Sequence, residues 1–260
     1  MSPDASMPII RSALMDAVPG MVCAVSTRHG GVSPEPFGMN LSFSVGDAEE
    51  NVHRNREIFF GSIGVSEDRV ASPVQIHSAI VKRADAPGRY PDCDALVTDL
   101  SDLYLTITVA DCVPVILVDP VRRVLGAVHA GWRGTAAGIA GTAVKFMTDN
   151  FGSIAADILA YAGPGAGVCC YAVGREVAER FDPTFVSAGS GDTLLLDLKG
   201  AVRQQLQQTG VEPARIDVSP YCTISEPQLF HSFRRDGKQS GRMLAVAGLS
   251  RSNGGVALHY

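Results

Sequence analysis

The sequence predicts an α/β fold built on a mixed sheet, and three observations carry that reading. Short apolar, β-branched runs alternate along the chain with segments of helical periodicity, the pattern of strands covered by helices. Loops rich in Gly, Pro, Ser and Asn stand at the ends of several of these runs, and no repeat, low-complexity tract or linker divides the chain. The 260 residues are 46% apolar, ample for one substantial core. One domain is therefore expected over residues 1–260, with 1–20 as a loosely held N-terminal segment.

Taken in order, residues 21–27 (MVCAVST) read as a buried strand that runs into the loop RHGGVSPEPFGMNLS. Asp47 can cap a helix through AEENVHRNREIFFGSIG, whose stripe of Val52, Ile58, Phe59 and Ile63 ends at Gly64. Residues 70–82 look like a strand carrying Gln75 and His77. From Asp94 to Asp119, strand follows strand: DALVTD, LYLTITV and VPVILVD, with a turn-like ADC before the last. The segment from Val124 has a β-type run to His129, glycines at 131 and 134, and then a long small-residue helix. This layout places functional groups at a sheet end. DILAYAG (157–163) repeats the theme, and PGAGVCCYAVGREVAERF looks like a loop entering a helix. LLLDLKGAVRQQLQQTG reads as a helix with Gly210 at its end, RIDVSP as a strand, and YCTISEPQLFHSFRRDGKQSGR as a polar loop before a final apolar strand or helix.

The formal charge is −5 and the basic residues are dispersed, which argues against nucleic acid as a partner. The first residues lack a basic region followed by a long apolar one, so no export signal is expected. The most apolar stretch, Leu103 to Val118, is interrupted by Asp111 and Pro114 and is too short to span a bilayer as a helix. A soluble, cytoplasmic protein with no membrane association and no obligate protein partner is the expectation. The six cysteines (Cys23, Cys93, Cys112, Cys169, Cys170, Cys222) then read as reduced thiols, most of them buried.

Six histidines allow each to be weighed. His29 lies in a Gly loop and His259 near the end of the sequence, both read as solvated. His53 falls on a polar helix face, and His231 follows an apolar Leu-Phe pair in a polar loop. His77 and His129 instead punctuate apolar strands, where an imidazole needs a partner or a metal to offset desolvation. Cys112 has the same placement. Two His and one Cys form a catalytic zinc set that leaves a fourth position open. Two other readings stay open: satisfied core histidines beside a buried thiol, or a Cys112 nucleophile with His129 or His77 as base, oriented by Asp111. Trp132-Arg133-Gly134-Thr135 offers backbone N–H groups and a guanidinium to a phosphate, or is a plain helix start capped by Thr135.

One combination of motifs is distinctive: S-T-R-H-G-G-V-S, F-G-M-N-L, Q-I-H-S, D-A-L-V-T-D, A-D-C-V-P-V, H-A-G-W-R-G-T, G-P-G-A-G-V-C-C-Y and R-R-D-G-K-Q-S-G-R-M. In this order, from about Cys23 to Leu249, it resembles the laccase-domain family. That family is also called the polyphenol oxidase or peptidoglycan editing factor family, and includes the FAMIN-like purine nucleoside phosphorylases. The resemblance implies a layered α-β-β-α sandwich with mixed sheets. It implies a zinc site with ligands His77, Cys112 and His129, and phosphorolysis of adenosine, inosine and methylthioadenosine together with deamination of adenosine. Partners would be a small-molecule nucleoside and phosphate. Where many relatives read I-G-P-C-C-Y-E-V, this chain has Ala166, Val168 and Ala172, so the Glu of that motif is absent. Six histidines are too few for a multicopper cluster, although copper at the same trio would give slow phenol oxidation.

Under this resemblance, Asp111 or a water held by Gln75 would serve as proton shuttle, the H-x-E acid of other deaminases being missing. Arg133, the N–H groups around Gly134, and Arg28 would hold the anion. Asn40, Asp47 and Cys170 would contact sugar or base, each with a structural alternative as turn former, cap or packing. The rival activity is a hydrolase that removes a wrongly added serine from a muramyl nucleotide, with Arg28, Arg133, Arg234 and Arg235 at the rim of a broad cleft.

Overall fold

The computed structural model describes residues 7–251. His259 lies outside them. In chain order the strands are β1 (Ile9–Ile10), β2 (Met21–Ser26), β3 (Val70–Pro73), β4 (Val81–Arg83), β5 (Gly88–Tyr90), β6 (Ala95–Thr98), β7 (Tyr104–Val109), β8 (Val113–Asp119), β9 (Val124–Ala130), β10 (Leu159–Ala162), β11 (Ala172–Val173), β12 (Val186–Ala188), β13 (Leu194–Leu196), β14 (Ile216–Val218) and β15 (Met243–Leu249). The helices are α1 (Ala13–Asp16), α2 (Glu49–Ser62), α3 (Trp132–Ala136), α4 (Ile139–Phe151), α5 (Arg175–Ala178), α6 (Leu198–Gln208) and α7 (Phe233–Asp236).

Two six-stranded sheets form, in the orders β1-β2-β15-β7-β3-β5 and β14-β10-β8-β9-β6-β4, with a small β11-β13-β12 sheet beside them. Both large sheets are mixed. In the first, β15 runs antiparallel to β2 and β7 while β3 is parallel to β7. In the second, β8 is antiparallel to β9 and β10 while β14 is parallel to β10.

Strand alternation sorts the side chains into layers. On β2 and β15, Cys23, Val25, Ala245 and Ala247 face the second sheet, where they meet Ile116, Val118, Leu125 and Ala127 of β8 and β9. The intervening Ala24, Leu244 and Val246 turn outward onto Phe59 and Phe60 of α2. On the far side, Val115, Leu117, Val124 and Val128 pack against Ala140, Val144 and Met147 of α4 and Val202 and Leu206 of α6. The order is therefore α2, first sheet, second sheet, then α4 with α6: the α-β-β-α sandwich that the family resemblance implied. Each fully buried Leu, Ile or Val in these layers contributes about 1.5–3 kcal/mol.

Several elements differ from the sequence reading. The expected strand over 70–82 is two strands in different sheets, β3 and β4, parted by a turn with His77 in the left-handed region at φ +61°. Asp47 does not cap α2: the cap position is Ala48, and Asp47 instead accepts hydrogen bonds from Ser33 Oγ and Asn40 Nδ2. The long helix after His129 is broken at Gly138, φ +81°, into α3 and α4. Thr135 is not a cap, since Gly131 holds that position. Leu194–Leu196 form β13, and α6 begins only after Asp197, whose carboxylate accepts from the Gly200 amide. The final apolar segment is a strand. Part of the N-terminal segment expected to be loosely held is packed: β1 pairs with β2, and Met15 is fully buried.

Candidate metal centre

His77, Cys112 and His129 arrive from three separate places in the sequence. His77 lies where the chain crosses from β3 of the first sheet to β4 of the second. Cys112 sits in the turn where it crosses from β7 to β8. His129 is the penultimate residue of β9, paired across the sheet with Pro114. Their ligand atoms all lie within 4.8 Å of one another, and the imidazoles meet edge to face with centroids 4.9 Å apart.

Asp94, fully buried just before β6, organises the cluster. Its carboxylate accepts from the amides of Ile76, His77 and Ser78 at 3.2, 2.9 and 2.6 Å, and from Ser78 Oγ at 2.8 Å. It also accepts the N–H of His129 Nδ1 at 2.8 Å. Burial alone would raise its pKa, but the hydrogen bonds from His129 and Ser78 outweigh it and hold the carboxyl well below the usual carboxylate range. The three consecutive amides explain why the predicted strand breaks at His77: the backbone wraps the carboxylate rather than a neighbouring strand.

Burial would raise the Cys112 pKa, yet the two imidazoles draw the thiol down to about 6. Burial would lower that of His129, but the Cys112 sulfur and Asp94 push it up to about 9. A Cys-His nucleophile pair needs one such imidazole, whereas here two converge on one sulfur. The donor set fits a cation. His129 has Nδ1 engaged by Asp94, which leaves Nε2 as its ligand atom, the arrangement that orients metal-binding histidines. Gly131 keeps the space clear: a Cβ there would fall 3.0 Å from Cys112 Sγ, 3.2 Å from His77 Cδ2 and 3.7 Å from His129 Cε1.

The trio lines a cleft of about 770 Å³ with Gln75, Phe43, Arg56, Arg89, Phe233 and Arg242. Of the other residues singled out from sequence, only Gln75 reaches it. Its amide is spent on a two-way pair with the Thr108 backbone, both bonds 2.9 Å. Asp111, at φ +88°, lines no part of the cleft and accepts from Thr223 Oγ1 and the Arg234 amide. Arg28 is held by Glu35 and the carbonyls of Pro227 and Pro36. Arg133 folds over its neighbour Trp132, 4.2 Å from the ring centroid. Gly134 is a packing glycine, since a Cβ would meet Ser78 O at 2.7 Å. Asn40 is fully buried and accepts from the Arg242 amide, while Cys170 stands beside Cys169, away from the cleft. Arg234 donates to Ala172 O and Arg235 to Asp236 and three backbone carbonyls, so neither forms the expected rim. His231 is buried, where desolvation lowers its pKa to about 3 and keeps it neutral. His29 and His53 are exposed, as expected.

Residues 22–250 match the family model described as multi-copper polyphenol oxidoreductase laccase. The chain belongs to this laccase family. Among its relatives, the purine nucleoside phosphorylase of Deinococcus radiodurans is 39% identical over 256 residues, 95% of either chain. The purine nucleoside phosphorylase YlmD of Geobacillus stearothermophilus is 36% identical over 247 residues, 88% of this chain and 90% of the relative. The crystal structure of YlmD from that organism superposes with a TM-score of 0.89 at 34% identity, covering 96% of this chain and 98% of that one. A histidine-rich multicopper cluster finds no counterpart among the described residues, where this trio is the only group of three potential ligands that contains a histidine.

Proposed function

We propose that this laccase-family chain is a zinc-dependent purine nucleoside phosphorylase. Its substrates are adenosine, inosine and methylthioadenosine, and it also deaminates adenosine at the same centre. The observation that carries the reading is the cleft. It brings a two-His, one-Cys donor set together with cations and exposed aromatic rings, the features needed to hold phosphate and a purine side by side. Arg56 is tied to Glu67 and Leu41 O, so Arg89 and Arg242 are the cations left for phosphate. Arg242 is preset, its amide on Asn40 and its Nη1 on the carbonyls of Ser240 and Gly241. Phe43 and Phe233, 44% and 48% exposed, each carry a guanidinium on one side, Arg56 and Arg242, and we assign their remaining exposed surface to the purine.

His77, Cys112 and His129 would hold zinc, which supplies Lewis-acid stabilisation of negative charge and an open coordination position. Phosphate held by Arg242 and Arg89 adds one oxygen to the ribose carbon as the glycosidic bond breaks. The bond's electron pair leaves with the base, and the phosphate anion balances the positive charge developing on the sugar. Deamination is the lesser activity in this reading, because Asp111 and Gln75 are committed to structural bonds. We take the enzyme as cytoplasmic and acting on small molecules. Among the described residues no helix is long and apolar enough to cross a membrane.

The test is product analysis with inosine in the presence and absence of phosphate. Hypoxanthine and ribose 1-phosphate should appear together and only with phosphate, and Arg242→Gln should raise the KM for phosphate by about tenfold, one charge-assisted hydrogen bond. Base release without consumption of phosphate would refute phosphorolysis.

A further inference from the structure

A second group of potential ligands stands apart from the cleft. The sulfurs of Cys169, Cys170 and Cys222 lie within 4.8 Å of one another, and those of Cys169 and Cys170 are 3.2 Å apart. No histidine or carboxylate belongs to the group. The packing role expected for these cysteines does not account for it, because Cys169 is exposed and Cys170 half-buried.

The sulfurs are held by a built framework. Cys169 and Cys170 occupy a turn closed by the amides of Cys170 and Tyr171 on Gly167 O, at 3.1 and 3.0 Å. Cys222 comes from the loop after β14, which a parallel bridge with Gly165 and a hydrogen bond from the Thr223 amide to Gly165 O fasten to the same turn. The Gly167 amide donates to Cys222 Sγ at 3.2 Å. Gly167 also repeats what Gly131 does at the first centre. A Cβ there would lie 3.2 Å from Cys222 Sγ and 3.4 Å from Cys169 Sγ, so the missing side chain leaves the ground between the sulfurs open. Beside them is a hollow of about 380 Å³ lined in part by Cys169, Cys222, Lys199 and Arg203, which gives an ion access from solvent.

We propose that Cys169, Cys170 and Cys222 form a second metal site, taking a soft d10 cation, Zn2+ or Cu+, on three thiolates. The all-sulfur donor set selects for such ions against Mg2+ or Ca2+, and binding releases the thiol protons to solvent. The site differs from the first in donors and exposure, and it does not depend on the nucleoside reading. The two are mechanically linked through Asp111, which precedes Cys112: its carbonyl accepts from the Ala166 amide and its carboxylate from Thr223 Oγ1, both at 2.7 Å.

The experiment counts metal by mass spectrometry on the full chain after dialysis against Zn2+ alone or, anaerobically, Cu+ alone, with a parallel thiol titration of the unfolded protein. Cys112→Ala should retain one tightly bound equivalent, and Cys112→Ala/Cys169→Ser should lose it. Cys169 is exposed, so its substitution tests the site without disturbing the core, and circular dichroism checks the fold of each variant. Retention with Zn2+ or only with Cu+ names the ion. The proposal fails if Cys112→Ala binds neither ion, if the double variant binds as well as Cys112→Ala, or if fewer than all thiols react because two of the three form a disulfide.

Discussion

Asp94 accepts from three consecutive amides and from His129, so one carboxylate fixes both the backbone of one candidate ligand and the ring of another. Asp94→Asn keeps the shape but removes the charge and two-sided acceptor capacity. It should weaken metal binding about 10–100-fold, read by competition with a chromophoric chelator, and an unchanged affinity would mean that Asp94 serves the turn alone. Of the trio, only His129 carries the burial that the sequence suggests for a polar group ending an apolar run; His77 is exposed in its turn and Cys112 half-buried, and what joins the three in the sequence is the family resemblance. Asp94 was not legible in the sequence, since an acid before a strand reads as an ordinary turn residue. Arg28 and Arg133 stand outside the cleft: neighbouring glycines suggest an anion site, but Arg28 pairs with Glu35 and Arg133 folds over the Trp132 ring. Arg242 and Phe233 carry no local signal, because they are brought to the cleft by α7 and the segment before β15, more than a hundred positions from Cys112.

At the scale of elements, the core strands β2, β7, β8 and β9 follow the apolar runs closely, and α2 follows its stripe. The failures fall where tertiary bonds override local pattern. Residues 70–82 have continuous strand character, yet Asp94 collects the amides that would have extended the ladder. Leu194–Leu196 join a helix by periodicity, yet Asp197 caps at the next residue and frees the three leucines for β13. The break between α3 and α4 rests on Gly138, whose φ of +81° sets the angle of α4 against β9, with nothing within 4 Å of where a Cβ would be. Gly138→Ala therefore meets only a backbone cost. Urea denaturation should show a loss of about 1 kcal/mol with metal content unchanged, whereas a gain in stability would mean that the helix prefers to run on unbroken.

For the whole molecule, alternation of strands and helices along the chain predicts the α/β class, while the layering follows from the family resemblance, because periodicity does not say which sheet a strand joins. The two crossings that carry His77 and Cys112 both pass from the first sheet to the second, so the candidate centre stands at one end of the sandwich where the sheets exchange chain. An ion held by the trio would tie both sheets together beside the cleft. The most direct measurement is inosine phosphorolysis by wild-type protein stripped of metal and then reloaded with zinc, beside Cys112→Ala treated in the same way. The account predicts that stripping abolishes turnover, that zinc restores it, and that Cys112→Ala remains inactive whatever metal is supplied. Full turnover by the metal-free wild type, or by the variant, would contradict it.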